Sequence, residues 1–203
     1  MIAIVDYGVG NLFSLKSSFA EIGADVTVTS NADVIRKTDK IILPGVGAFG
    51  DAAEKLRQSG LDKVIIEEAE RGKYLMGICL GMQLLFERSF EYGCHKGLGL
   101  IKGSIRPIAD VIPKNLKIPH IGWNQLLFGA EKHPIFKYLN EGDCVYFVHS
   151  FYGAECDESI IATTEYGATL TAAVASVNVC GCQFHPEKSG KAGLSILKAF
   201  CEL

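Results

Sequence analysis

No stretch of this sequence stays apolar for long enough to cross a bilayer, and no block of lysine or arginine interrupts it. The first absence gives no support to a membrane protein. The second, with a formal net charge of −3, argues against nucleic acid as the partner. Low-complexity tracts, internal repeats and linker-like segments are missing too, so residues 1–203 are expected to form one domain around one substantial core. The opening MIAIVDYGVGN has no basic region, and Asp6 cuts its apolar run short, so it does not read as a signal peptide. The seven cysteines are odd in number and lack the spacing of a zinc pair; in Cys180-Gly-Cys182 a strand would point both thiols to one face. Reduced thiols in the cytoplasm, with no metal and no cofactor, are the expectation.

The first half of the chain alternates strand-like runs with helical patterns. MIAIVD reads as a buried strand, and the segment from Asn11 places Leu12, Leu15, Phe19 and Ile22 on one helical face before Gly23. DVTVT and KIIL read as strands, Asp51 to Arg71 as a helical segment broken near Gly60, and Tyr74–Ile78 as a further strand. Alternation of this kind predicts an open, mostly parallel sheet in three layers, with helices on both faces. From about Gly97 short strands separated by Gly, Asp, Asn and Pro predict antiparallel additions, and a last helix is expected over Lys191–Phe200.

The strand at Tyr74–Ile78 runs straight into Cys79, with a helical pattern over Met82–Phe86 behind it. Gly77 and Gly81 flank the cysteine as G-x-C-x-G, the nucleophile-elbow pattern with Cys in place of Ser. Such a turn brings backbone too close for side chains at the glycines and pushes the thiol out at the carboxyl end of a strand, where α/β folds collect their chemistry. The positive end of the helix favours the attacking, anionic form of a nucleophilic sulfur. A free cysteine can equally be a small buried hydrophobe.

A base decides between the two. Of five histidines, His95 and His133 lie in polar surroundings and read as surface residues, while His120 and His149 lie in or beside strands and need partners if buried. His185 differs, because in QFHPEKSG it stands two residues before Glu187, a spacing that puts both on one face of extended chain. Cys79, His185 and Glu187 then make a nucleophile, a base and the carboxylate that orients it. The backbone N–H of Leu80 is the natural first donor to an oxyanion, and the glycine-rich PGVGAFG after KIIL could offer a second. That loop also matches G-x-G-x-x-G at Gly45, Gly47 and Gly50. A dinucleotide reading is weakened because the motif follows the third strand and because Glu67 and Glu68, about 20 residues on, sit in a helical pattern.

With these residues in view, the sequence resembles the class I (triad) glutamine amidotransferases. The resemblance runs from DYGVGN through LPGVGAF, GICLGMQLLFE, IPHIGWN and YFVHSFY to QFHPEKSG, and within the family it is nearest to glutaminase subunits of the histidine pathway. It implies a flavodoxin-like three-layer fold and hydrolysis of L-glutamine through a thioester on Cys79, with His185 as base and then acid and Glu187 orienting it. It further implies that Gln83, Glu91 and the Val148–Phe151 segment with Ser150 hold the substrate. Val46 would supply the second oxyanion N–H after a peptide flip. Asn11, Trp123 (the single tryptophan) and Lys188 would face a (β/α)8-barrel cyclase or synthase that receives the ammonia and makes imidazole glycerol phosphate. From the residues alone, Trp123 as a core anchor, Lys188 as a solvated charge and Gln83 as an exposed helix residue stay open. At this length such a domain uses up the chain, which leaves the ammonia-consuming reaction to another polypeptide. A glutaminase serving a different barrel, or a regulatory module with a degenerate site, are the competing readings.

Overall fold

Short apolar runs bounded by turn residues become the parallel strands of the structure, a computed structural model that describes residues 1–129 and 131–203. IAIV forms β1 (Ile2–Val5), buried throughout, and Asn11 begins α1 (Leu12–Glu21) by accepting the Ser14 N–H at 3.4 Å. After β2 (Val26–Thr29) comes a helix not anticipated from the sequence, α2 (Ala32–Lys37), whose cap Asn31 takes the N–H groups of Asp33 and Val34. β3 (Lys40–Leu43) follows. The segment broken near Gly60 resolves into α3 (Phe49–Gln58) and α4 (Leu61–Glu70), with Gly60 left-handed at φ 72° between them.

β4 (Tyr74–Ile78) leads into α5 (Leu80–Leu84). The helix expected over Met82–Phe86 starts two residues earlier and stops sooner, because β5 (Phe86–Ser89) begins at once. The cause is tertiary. Leu98, Leu100 and Gly99 donate their N–H groups to the carbonyls of Leu84, Leu85 and Phe86, which removes the acceptors a longer helix would need.

The second half supplies β6 (His95–Lys96), β7 (Ile101–Pro107), β8 (His120–Gln125), β9 (Leu127–Phe128), β10 (Cys144–His149), β11 (Phe151–Ala154), β12 (Ile160–Glu165), β13 (Thr169–Ser176) and β14 (Val179–Cys182), then α6 (Gly190–Cys201). The main sheet has the order β2-β1-β3-β4-β14-β13-β12-β9. Its first five strands are mutually parallel and its last three are added antiparallel, as expected of the fold class. β8 pairs with β10, and β11-β7-β5-β6 make a small sheet beside the main one.

Alternation along the parallel strands divides the core. Ala3, Val5, Ile41, Leu43 and Leu75 pack with α2 to α5, whereas Ile2, Ile4, Ile42, Met76 and Ile78 pack with α1 and α6. The order β2-β1-β3-β4-β14 is that of flavodoxin-like sheets, in which ligands gather beyond the carboxyl ends of the central strands. Here those ends carry Pro44–Gly47, Cys79 and the Gln183–Glu187 segment.

Candidate active site

At the end of β4 the chain turns through Cys79 with φ 54° and ψ −114°, left-handed backbone that a non-glycine residue adopts only under constraint. The constraint comes from both sides. A Cβ on Gly77 would lie 2.6 Å from the Gly81 carbonyl oxygen, and one on Gly81 would lie 1.8 Å from that of Leu43. The loop after β3 is pressed against the same turn, since a Cβ on Gly45 would meet the Gly81 nitrogen at 2.7 Å and the Tyr7 hydroxyl at 3.0 Å. Tyr7 itself donates to the Pro44 carbonyl at 2.8 Å and so fixes the start of that loop. Leu80 is the first residue of α5, so its N–H has no acceptor within the helix.

β14 runs parallel to β4, and Cys79 N–H donates to the Cys182 carbonyl at 2.8 Å, which brings the following Gln183–Glu187 segment to the Cys79 sulfur. The expected extended His185–Glu187 pair is instead built by a single 3₁₀ turn over Pro186–Lys188. Ser189 holds this turn by donating to the His185 carbonyl at 2.6 Å while accepting the Tyr146 N–H. His185 Nδ1 and Glu187 Oε1 lie 2.8 Å apart with both side chains buried. Burial alone would lower the His185 pKa, but hydrogen bonds to Cys79 and Glu187 outweigh it and push the value up to about 10. The imidazolium is thus the favoured form at neutral pH.

Above these groups lies a cleft of about 310 Å³, lined among others by Val46, Leu80, Gln83, Glu91, Tyr92 and Ser150. Gln83 is buried rather than an exposed helix residue, and its Nε2 donates to Gln183 Oε1 at 2.9 Å and to the Phe151 carbonyl at 3.4 Å. Glu91 is buried as well. Its Oε2 accepts the Phe49 N–H at 2.7 Å, capping α3, whose own N-cap residue Ala48 has no side-chain acceptor. Burial raises the Glu91 pKa, opposed by that hydrogen bond and by His95. Val46 is 43% exposed at the rim, beside Gly47 at φ 93°.

A model of the family "Glutamine amidotransferase class-I" matches residues 3–202. The chain belongs to the class-I glutamine amidotransferases. As relatives of this amidotransferase, "Imidazole glycerol phosphate synthase subunit HisH" of Sulfurimonas denitrificans is 49% identical over 98% of this chain and 97% of its own, and the protein of the same description from Wolinella succinogenes is 45% identical over the whole of both. Solved structures share the fold. One described as "Crystal structure of glutamine amidotransferase" superposes with a TM-score of 0.77 at 17% identity, over 100% of this chain and 98% of that one. "Structure of PurLQS from Thermotoga maritima" does so with 0.77 at 22%, over 99% and 97%.

Within the amidotransferase the remaining sequence-predicted residues divide into two places. Asn11, Trp123 and Lys188 are outside the cleft. Trp123 is 55% exposed on β8 and so is no core anchor; it meets Tyr146 edge-on at 6.2 Å, and the Lys188 ammonium lies 5.9 Å from the same ring. Asn11 caps α1 next to Phe13, which is 83% exposed. His95 and His133 are half-buried rather than on the surface. The His95 ring lies where a Cβ on Gly50 would be, 2.8 Å away, and His133 accepts the Ile135 N–H. Sequence reasoning assigned no role to Tyr7, Gln183, His149 or Ser189, all of which touch the triad, the cleft or the oxyanion loop. All four lie in segments singled out as motifs, but nothing in their spacing distinguishes them.

Proposed function

We propose that this chain is the glutaminase subunit of imidazole glycerol phosphate synthase, a single amidotransferase unit that hydrolyses L-glutamine and hands the ammonia to a (β/α)8-barrel cyclase in histidine biosynthesis. The observation that carries this reading is likeness over the full length, at 45–49% identity, to subunits of that synthase, together with a Cys–His–Glu constellation at the floor of an open cleft.

The geometry supports a defined order of events. The Cys79 sulfur adds to the side-chain amide carbon of glutamine, and the oxyanion that forms lies against the free N–H of Leu80 and that of Val46 once its peptide turns inward. His185, carrying the proton it took from the Cys79 thiol and held beside Glu187, gives that proton to the departing nitrogen. Ammonia leaves and the glutamyl thioester remains. The neutral imidazole then takes a proton from water, whose oxygen attacks the thioester; glutamate departs and the sulfur is restored. Gln83 Oε1 and Glu91 Oε1, the atoms not committed to hydrogen bonds with the protein, are available to the α-ammonium of the substrate, with Ser150 opposite. Ammonia that escaped to water would be protonated and no nucleophile, which favours an enclosed transfer to a docked partner at the face bearing Asn11, Trp123 and Lys188.

The test is a glutaminase assay on the purified chain with and without the barrel subunit and its ligand. Stimulation by the loaded partner, lost in Cys79→Ala, is the expected result. Full-rate hydrolysis by the isolated chain would refute the coupling to a partner, and full activity in Cys79→Ala would refute the mechanism.

A further inference from the structure

Along one wall of the cleft and beneath it, a line of hydrogen bonds runs from β8 to the Cys79 sulfur. His120 Nδ1 and His149 Nε2 are 2.9 Å apart, and His149 Nδ1 is 2.8 Å from the Phe151 carbonyl. That carbonyl also accepts from Gln83 Nε2, which donates to Gln183 Oε1, and Gln183 Nε2 lies 3.8 Å from Cys79 Sγ. Every side chain in the line is buried, Gln183 completely. Gln183 is also held by its backbone, whose N–H donates to the Ala172 carbonyl at 2.8 Å.

The direction of the line is forced by its middle. A carbonyl oxygen only accepts, so His149 must carry its hydrogen on Nδ1 and Gln83 must turn its amide nitrogen, not its oxygen, toward Phe151. The second hydrogen of that nitrogen then requires an acceptor, which is Gln183 Oε1. Gln183 is left with its nitrogen toward the sulfur. Reversing Gln83 would set its oxygen against two acceptors, the Phe151 carbonyl and Gln183 Oε1; reversing Gln183 would set donor against donor at Gln83 and an oxygen lone pair against the sulfur.

We propose that Gln183 is a further catalytic residue: its side-chain amide donates to the Cys79 sulfur, and Gln83 is the positioning residue that aims it. A hydrogen bond to sulfur is strongest when the sulfur is anionic. The contact therefore acts twice, before attack and again when the thioester carbon–sulfur bond breaks and its electron pair returns to sulfur. In the thioester itself the sulfur is neutral and the contact is weak. This rests on Cys79 being the nucleophile, as the glutaminase reading has it.

The experiment follows alkylation of Cys79 by iodoacetamide in the full-length chain, without glutamine, reading the modified Cys79 and Cys94 peptides by mass spectrometry. Gln183→Met keeps the length of the side chain and removes the donor. The expected result is alkylation of Cys79 at pH 7 slowed about tenfold, recovering at alkaline pH, with the exposed Cys94 unchanged. A folded Gln183→Met protein that alkylates Cys79 at the wild-type rate across pH would overturn the proposal. Should that variant not fold, Gln83→Met decides in the same assay: a several-fold loss at Cys79 alone supports the line, and a wild-type rate overturns it. Because no substrate is present, a negative outcome leaves the glutaminase test of Cys79→Ala unaffected.

Discussion

His185 and Glu187 are two residues apart, and the consequences of that pairing can be measured. The folded-state pKa of His185 is raised to about 10 against an ordinary 6.5, despite burial, by its bonds to Cys79 and Glu187. With a raised value, the stabilisation this group lends is complete below pH 6.5 and is lost as pH climbs through about 10. Glu187→Gln withdraws one of the raising partners. The alkaline limb of kcat/KM is therefore expected to move to lower pH, because the imidazolium that would protonate the departing amide nitrogen is lost earlier. The gap in denaturation midpoint between wild type and this variant should close between pH 6.5 and 10. An alkaline limb that does not move would show that Glu187 does not set the charge of His185. Glu91 separates two roles in the same way. Glu91→Gln still offers an oxygen to the Phe49 N–H but no charge to the substrate ammonium, so KM should rise at least tenfold with little loss of stability, whereas Glu91→Ala should also cost about 1 kcal/mol through the lost cap. Steady-state kinetics and thermal melts on the pair read both effects.

At the scale of elements, the strand–turn–helix around Cys79 depends on two missing side chains. Gly81→Ala places a methyl group 1.8 Å from the Leu43 oxygen, an overlap of backbone with backbone that no rotamer relieves. A loss of about 3 kcal/mol or more is expected, together with loss of activity, because β3 and β4 must separate to admit it. Urea denaturation checks the figure; a near-neutral result would mean that the elbow is looser than its geometry. The same element shows what was legible in the sequence. The glycines and the strand before them carry a local signal, so the bend could be read directly, whereas Cys79 as a nucleophile was read only with His185 and Glu187 beside it. The extent of the following helix could not, because its carbonyls are taken by Leu98–Leu100, which lie more than a turn of chain away. α2 was missed for a related reason: six residues give too short a pattern, although the Asn31 cap was present. The His185–Glu187 pair was anticipated from spacing, but the turn that makes it depends on Ser189 bridging to Tyr146, a contact with another strand. The amide line to Cys79 was illegible, since Gln83 and Gln183 are 100 residues apart and meet only through the β4–β14 pairing.

Across the whole molecule, the parallel half of the main sheet places Cys79, His185 and the loop bearing Val46, while the β8–β10 pair, outside that sheet, leads into the Val148–Phe151 wall of the cleft and carries an exposed flank. β8 and β10 tie these together. Their buried side carries His120, Phe147 and His149 toward the site, and their outer side shows Ile121 and Trp123 to solvent. An exposed tryptophan beside an aromatic ring and a lysine is the composition of an interface hot spot, with a large apolar area at low entropic cost. If the proposed barrel subunit docks on this face, burying Trp123 is expected to be a main contribution to its binding. Trp123→Ala is expected to weaken association with that subunit at least thirtyfold, about 2 kcal/mol, by titration calorimetry. Its thermal melt should match wild type, because the indole packs edge-on against Tyr146 and not within the core. Unchanged affinity would move the docking surface elsewhere, to the side of α1 that bears Phe13.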